Sequence, residues 1–324
     1  MPSTLLSTLN LSTLNLSTLN HRHVACSIST NSELIDAIKN STLPADTAHL
    51  LTADTQTAGR GQRGRSWQSP HGNVYLSLYH PITMPISGLL SLIIGVQLAK
   101  MPIIQTVNEQ LHAQNLTPIG VKWANDLGFY NPITDPLNHH KTPATTVVYF
   151  NKLAGILIEP VWQGGSLMGV VMGVGLNVQT TPMLTTQTLE GMSYQALSLQ
   201  DIQGLLAKNT LTDTPINLPS LTELYSQISQ ALLDAISCFE LISQQHISHQ
   251  QTASDAFMQQ FKCVDALSGL RVQVSQNHKN NHGTSEVITG HACGIDTNGC
   301  LQLRQDNGKL ATLFTGRIDV ISTL

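Results

Sequence analysis

At 324 residues the chain is long enough for two domains of ~150 residues each, and 41% hydrophobic content suffices for a sizeable core. Charged residues make up only 11%, against ~25% in an average soluble chain. The net charge of -4 provides no overall field for nucleic acid or anionic lipid.

The chain opens on a repeat, Leu-Ser-Thr-Leu-Asn three times over Leu6 to Asn20. A five-residue period turns each copy by ~140° on a helix and flips it on a strand, so no single apolar face forms. Met1 to about Arg22 is therefore read as a disordered low-complexity tail. With neither a basic start nor a compact apolar segment, it does not read as a secretion signal. Ser29-Thr30-Asn31-Ser32-Glu33 is a helix start, with capping side chains ahead of Leu34, Ile35 and Ile38. His49 to Thr52 and Val74 to Tyr79 predict strands, and Gly88 to Lys100 predicts a mostly apolar helix. That segment is the best candidate for a membrane span, but Ser91 and Gln97 interrupt it. Pro102 opens a further helix to about His112. Val121 to Trp123, Leu153 to Glu159 and Leu167 to Val178 are strand-like, and Leu221 to Phe261 has helical spacing. After about Leu267, short strands follow closely (270–274, 286–293, 301–304, 310–314 and 318–321). Asn298-Gly299 and Asn307-Gly308 mark tight turns between them, which predicts a small β-barrel as a second domain. Cys26, Cys238, Cys263, Cys293 and Cys300 include no C-x-x-C and read as reduced thiols of a cytoplasmic protein.

Three of the seven arginines, Arg60, Arg63 and Arg65, lie within six residues in the segment Ala58 to Pro70. Glycines there let the backbone approach a ligand, and guanidinium groups suit phosphate or carboxylate. Such a loop has little core of its own and is expected to be mobile until an anion neutralises it. Gly59-x-Gly61-x-x-Gly64 matches the dinucleotide fingerprint, but no helix follows and no acidic residue appears before Glu109. A P-loop reading fails too, because lysine is missing and Trp67 and Pro70 lead into a strand. Three further motifs stand at strand ends: Val121-Lys122-Trp123-Ala124-Asn125-Asp126, Lys152-Leu153-Ala154-Gly155-Ile156-Leu157, and Gly173-Val174-Gly175-Leu176-Asn177. Taken singly, each also reads as a strand-end cap, close packing at glycine or a solvated lysine. His246-x-x-His249 and His278-x-x-x-His282 lack the ligands to complete a metal set and read as solvated surface.

In this order, from Ser29 to Asn177, the motifs resemble the bacterial biotin–protein ligases. The resemblance implies an α/β (α+β) fold: a mixed-sheet, class II synthetase-like catalytic domain over 23–264, with an SH3-like barrel over 267–324. It implies ATP-dependent attachment of biotin, through biotinyl-5'-AMP and with Mg²⁺, to a lysine of the biotin carboxyl carrier protein of acetyl-CoA carboxylase. It places Ser29, Thr30, Asn31, Gln56, Arg60, Gly61, Gln62, Lys152 and Gly155 on biotin. Arg60, Arg63, Arg65, Trp67, Lys122, Asn125 and Asn177 fall on ATP or the adenylate. Lys152, Arg60 and Asp126 carry the chemistry, with Asp126 holding or deprotonating the incoming amine. Gln62 stands where the bacterial pattern most often has a second arginine, which should weaken the hold on the adenylate. Ala124 replaces a proline. The segment Gly128 to Asn151 reads as an inserted, extended polar loop. Only about 28 residues precede Ser29, too few for a winged-helix domain, so DNA binding is not expected. The family often pairs subunits through the central sheet, which admits a homodimer. Two alternatives stay open: a lipoate–protein ligase, and a non-catalytic anion- or dinucleotide-binding module.

Overall fold

Apolar residues recurring at every second position, as in Val74-Leu76-Leu78, build strands that bury one face under helices. The computed structural model describes residues 19–130, 146–182, 194–209, 216–247, 252–276 and 286–322. In chain order these form β1 (Asn20–Ser27), α1 (Thr30–Lys39), β2 (His49–Gln56), β3 (Val74–Pro81), α2 (Leu89–Ala99) and α3 (Pro102–Ala113). Then come β4 (Gly120–Lys122), β5 (Asp126–Tyr130), β6 (Thr146–Val148), β7 (Phe150–Gln163), β8 (Ser166–Leu176) and β9 (Tyr194–Ala196). The helices α4 (Leu199–Asn209), α5 (Leu221–Ile247) and α6 (Thr252–Val264) follow. The chain closes with β10 (Arg271–Gln276), β11 (Glu286–Ile295), β12 (Leu301–Arg304), β13 (Leu310–Leu313) and β14 (Arg317–Ser322).

The first sheet runs β1-β2-β3-β8-β7-β5-β4, with β9 on β7. It is mixed, because β1–β2 and β7–β9 are parallel while the other pairs are antiparallel. One face is covered by α1, whose Leu34 and Ile38 pack on Leu51, Tyr79, Val161 and Val171. The other face joins α2, α3, α5 and α6 in the main core. The second sheet runs β13-β12-β11-β10-β14-β6 and is antiparallel throughout, in keeping with the small barrel read from the sequence. Its Val272, Val274, Leu301 and Val320 belong to the same main core. The indole of Trp123 donates to the carbonyl of Gly299 at 2.8 Å, which seats the second sheet beside α2. Among the described residues no single helix is long and apolar enough to cross a membrane.

Three sequence expectations are corrected. Residues 20–22 are not tail but the start of β1, whose His21 and His23 both bond the hydroxyl of Thr52 (2.8 and 2.9 Å); residues 1–18 lie outside the described ones. The segment 128–151 is not simply a loop. Its ends are strands, with Gly128 paired to Lys152 and Val148 paired to Val320, while 131–145 are not among the described residues. β6 thus enters the second sheet from far outside 267–324. The helical stretch 221–261 is two helices, α5 and α6. Of the histidine pairs, His249, His278 and His282 lie outside the described residues.

Asp265 sits at the junction of α6 with the second sheet, bridged to Val121. Burial lifts its carboxyl to about 6, with the backbone N–H of Leu267 opposing the shift. A raised carboxyl favours the neutral folded form, so stability is full below the unfolded value of 3.8 and is lost as pH rises through 6. Asp265→Asn keeps the acceptor for Leu267. It is expected to raise unfolding free energy on the order of 2 kcal/mol at pH ~7.5, and by far less at pH ~4, in urea titrations. Equal effects at both pH values would show a solvated carboxylate.

Candidate active site

Cross-strand partners point to the same face of a sheet, and one such row builds the floor of the site. Across β4, β5, β7, β8, β3 and β2 it reads Lys122, Asp126, Gly155, Gly175, Tyr75 and Ala53. The face is the one α1 covers from one row further along, where Leu51 packs beneath the helix. Beyond the helix N-terminus, Gly155 and Gly175 leave the middle of the row bare. The indole of Trp67 lies there: a Cβ at Gly155 would come within 2.8 Å of it, and one at Gly175 within 2.6 Å.

Trp67 closes a hairpin made by the arginine-rich segment. Its N–H donates to Gly59 O at 2.8 Å, Gly61 N–H donates to Arg65 O at 2.7 Å, and Arg60 bridges Ser66. At the tip, Arg63 and Gly64 both have positive φ, 59° and 73°. For arginine this left-handed conformation costs roughly 1–2 kcal/mol. Arg60 on the stem donates to Glu159 Oε2 at 2.6 Å.

Glu159 also accepts from Asn31 Nδ2 at 2.9 Å, and Asn31 Oδ1 accepts from Ser77 at 2.5 Å. Glu159 reads in the sequence only as part of a buried strand, yet within β7 it pins the first arginine of the hairpin. Ser29 caps α1, its hydroxyl taking the N–H of Ser32 at 3.5 Å. Gln56 Oε1 accepts from the N–H of Thr30 at 2.9 Å, and Gln56 Nε2 donates to Ser69 at 3.0 Å. Asn31 and Gln56, expected on a ligand, are thus already engaged with protein while lining the cavity.

At the far end of the row, Lys152 Nζ lies 2.7 Å from Asp126 Oδ1, and Tyr194 OH donates to Asp126 Oδ2 at 2.8 Å. A bulge between Leu127 and Gly128 lets Lys152 reach this position. Lys122 is 1% exposed, and its ammonium has no hydrogen-bond partner among the described residues. It sits 3.9 Å from the ring centre of Tyr194, 4.9 Å from Phe150 and 5.6 Å from Tyr130. Burial brings it down to about 7, against the pull of Asp126. Burial, with Asp126 adding to it, pushes the Tyr194 hydroxyl well above its ordinary value. Lys122, expected on the adenylate, lines the cavity while nearly all of its side chain is buried. Asn125 is fastened across to β7, exchanging bonds with the backbone of Ile156 at 2.9 Å each way. Asn177 donates to Leu197 O at 3.1 Å, and its Oδ1 is buried without a partner among the described residues.

These groups surround a cavity of about 820 Å³. Arg60, Gly61, Gln62, Arg63, Arg65 and Trp67 form one wall, and Ser29, Thr30, Asn31 and Gln56 another. Lys152, Gly155, Asn125, Asp126 and Asn177 complete the set, so the structure brings together every site residue read from the sequence. Among the described residues the charged lining is six cations (Arg60, Arg63, Arg65, Lys122, Lys152, Arg317) against one carboxylate, Asp126. Sequence reasoning missed the contribution of the second sheet, where Phe314 to Ile318 form the remaining wall. Arg317, which pairs with Asp319 at 3.0 Å, comes from this segment.

Residues 24–177 match the model of the Biotin/lipoate A/B protein ligase family. The chain is 28% identical over 298 residues to the Bifunctional ligase/repressor BirA of Salmonella typhimurium, covering 91% of this chain and 72% of that one. It is 27% identical over 154 residues to the Biotin--[acetyl-CoA-carboxylase] ligase of Paracoccus denitrificans, covering 48% of this chain and 52% of that one. Among solved structures, the biotin protein ligase from Aquifex aeolicus in complex with biotin and ATP shares the fold. Its TM-score is 0.58 at 18% identity, with 94% of this chain and 99% of that one covered.

The depressed Lys122 gives a direct check of the buried charge arrangement. In protein labelled at the lysine side chains, the NMR signal of Lys122 is expected to titrate with a midpoint near 7. Asp126→Asn should move that midpoint lower still, because the carboxylate favours the charged ammonium. A midpoint near 10.5 would place Lys122 in solvent.

Proposed function

We propose that the chain is a biotin protein ligase that joins biotin to a carrier lysine through an enzyme-bound biotinyl-adenylate. The observation that carries this reading is the lining of the cavity, six cations and one carboxylate in a chain whose net charge is -4. Adenylation brings a carboxylate against a triphosphate, and fixed cations are what that encounter lacks in water. In this reading Arg60 and Arg65 receive the phosphates, and Lys152 takes the biotin carboxylate and later the carbonyl of the mixed anhydride. Ser29, Thr30 and Gln56 supply the neutral donors and acceptors that a ureido ring requires. Trp67, seated on the glycine patch, offers an apolar face that keeps water from the anhydride.

The two half-reactions then use the Lys152–Asp126 pair in turn. In the first, a carboxylate oxygen of biotin attacks the α-phosphorus, the bond to pyrophosphate breaks and pyrophosphate leaves. Lys152 moves from Asp126 toward the new acyl group, which frees Asp126 Oδ1. In the second, the carrier amine attacks the acyl carbon and gives its proton to Asp126, and AMP departs. Mg²⁺ bound with the triphosphate would neutralise part of its charge. The buried, unpartnered Oδ1 of Asn177 is an oxygen donor of the kind such a hard cation takes, with phosphate oxygens completing the set. The acceptor proposed is the lysine of a biotin carboxyl carrier protein; the name of the Paracoccus relative supports it.

Incubating protein, MgATP and an apo-carrier domain with biotin is expected to add one biotin to the carrier by intact mass. Pyrophosphate release should depend on biotin and not on lipoate; the reverse would make the chain a lipoate ligase, and release with neither would remove the adenylation reading. Lys152→Ala is expected to cut adenylate formation by about 10²-fold or more with an unchanged unfolding midpoint. Wild-type activity there would take Lys152 out of the mechanism. Gln62, which lines the cavity without a charge, is expected to permit faster escape of the adenylate than Gln62→Arg; equal release rates would show that this position does not hold it.

A further inference from the structure

The hairpin tip is fastened at a second place, 252 residues away in the chain. Arg63 Nη2 donates to Thr315 Oγ1 and lies 3.5 Å from Gly316 O, in the turn between β13 and β14. That turn is itself fixed. Gln276 Nε2 donates to Thr315 O at 3.0 Å, and Gly316 lies so close to β10 that a Cβ there would meet Val274 at 2.3 Å. Thr315 is therefore presented by a rigid backbone, whereas the hairpin it meets is 3₁₀ at its tip and carries a non-glycine residue in the left-handed region. A conformation that is unfavourable on its own persists where surrounding contacts determine it. The geometry also accounts for the cavity, since the hairpin forms one wall and 314–318 the facing one. Sequence reasoning had put Arg63 on the adenylate. Its guanidinium lines the cavity and also joins the two walls.

We propose that Thr315 is a positioning residue: by accepting Arg63 it closes the hairpin against the second sheet and slows escape of the bound acyl-adenylate. The consequence for retention rests on the adenylation reading above; the closure does not. Arg63 acts through the hairpin that bears Arg60, Arg65 and Trp67, and the second sheet takes part in the reaction without a group on the reacting atoms.

Two measurements separate these parts. In the ligand-free protein, trypsin cleaves after Arg60, Arg63 or Arg65 only when the hairpin opens. Thr315→Val, which loses the acceptor and keeps the shape, is expected to raise nicking in this segment about fivefold, and Thr315→Ser to return it to within about twofold of wild type. Nicking in Thr315→Val equal to wild type would overturn the closure. The second measurement follows loss of labelled adenylate during a chase with unlabelled biotin. Thr315→Val and Arg63→Ala should each speed the loss about fivefold, and the double variant no more than either alone, because both remove one contact. If the double variant were the product of the two singles, or Thr315→Val released at the wild-type rate, Arg63 would be touching the ligand directly and the proposal would fall. If wild type formed no adenylate while Thr315→Val was still nicked faster, the closure would stand and the adenylation reading would fall.

Discussion

Everything at this site depends on a patch of sheet that carries no side chains. Gly155 and Gly175 are register partners on adjacent strands, and their missing Cβ atoms leave a depression the width of an indole. Trp67 fills it, which fixes the stem of a hairpin that has no core of its own. The stem in turn aims Arg60 at Glu159 and holds the arginines along one wall. Gly59 makes the same demand from the other side, since a Cβ there would lie 2.4 Å from the carbonyl of Trp67. The glycines of three separate motifs thus act as one device, a seat for a single aromatic ring.

Concentrating cations around a partly buried cavity is costly, because two like charges ~4 Å apart repel by about 4 kcal/mol at an effective dielectric of 20. The structure answers with a partner for each of several charges. Arg60 has Glu159, Lys152 has Asp126 and Arg317 has Asp319. Lys122 has three aromatic rings and, being brought to about 7, is near the point of giving up its charge. On the proposed reading, an anionic ligand takes the place of these internal partners, and the same exchange releases Asp126 for a second task.

The sequence made the parts of this arrangement legible where local chemistry alone decides. Period-2 spacing put Gly173 and Gly175 on one face, the helix start at Ser29 was written in its capping side chains, and the clustered arginines stood out in a chain poor in charge. It could not show what is decided by pairing between distant segments. Glu159 reads as the end of a buried strand until the β7–β8 register brings it beside Arg60. The β1 strand was hidden because its His21-Arg22-His23 lacks an apolar face and abuts the repeat. α4 was passed over although Ser198 and Asp201 cap each other in a reciprocal box (2.9 and 3.1 Å), a signal visible in Ser198-Leu199-Gln200-Asp201. β6 is three residues long and acquires meaning only through its partner β14.

The distribution of charge also constrains how a ligand is found. Four of the seven arginines line the cavity, while the chain as a whole carries -4. With so few charges elsewhere, steering from beyond the Debye length of about 8 Å at physiological salt is weak. Recognition of an anion therefore rests on contacts made after entry, in a site from which much of the water is displaced. Such contacts are screened less by salt than surface pairs are, and they depend strictly on geometry. That dependence is why the two walls, drawn from residues 60–67 and 314–318, have to be held at a fixed separation: a site that cannot attract its ligand from afar has to hold it by shape once it arrives.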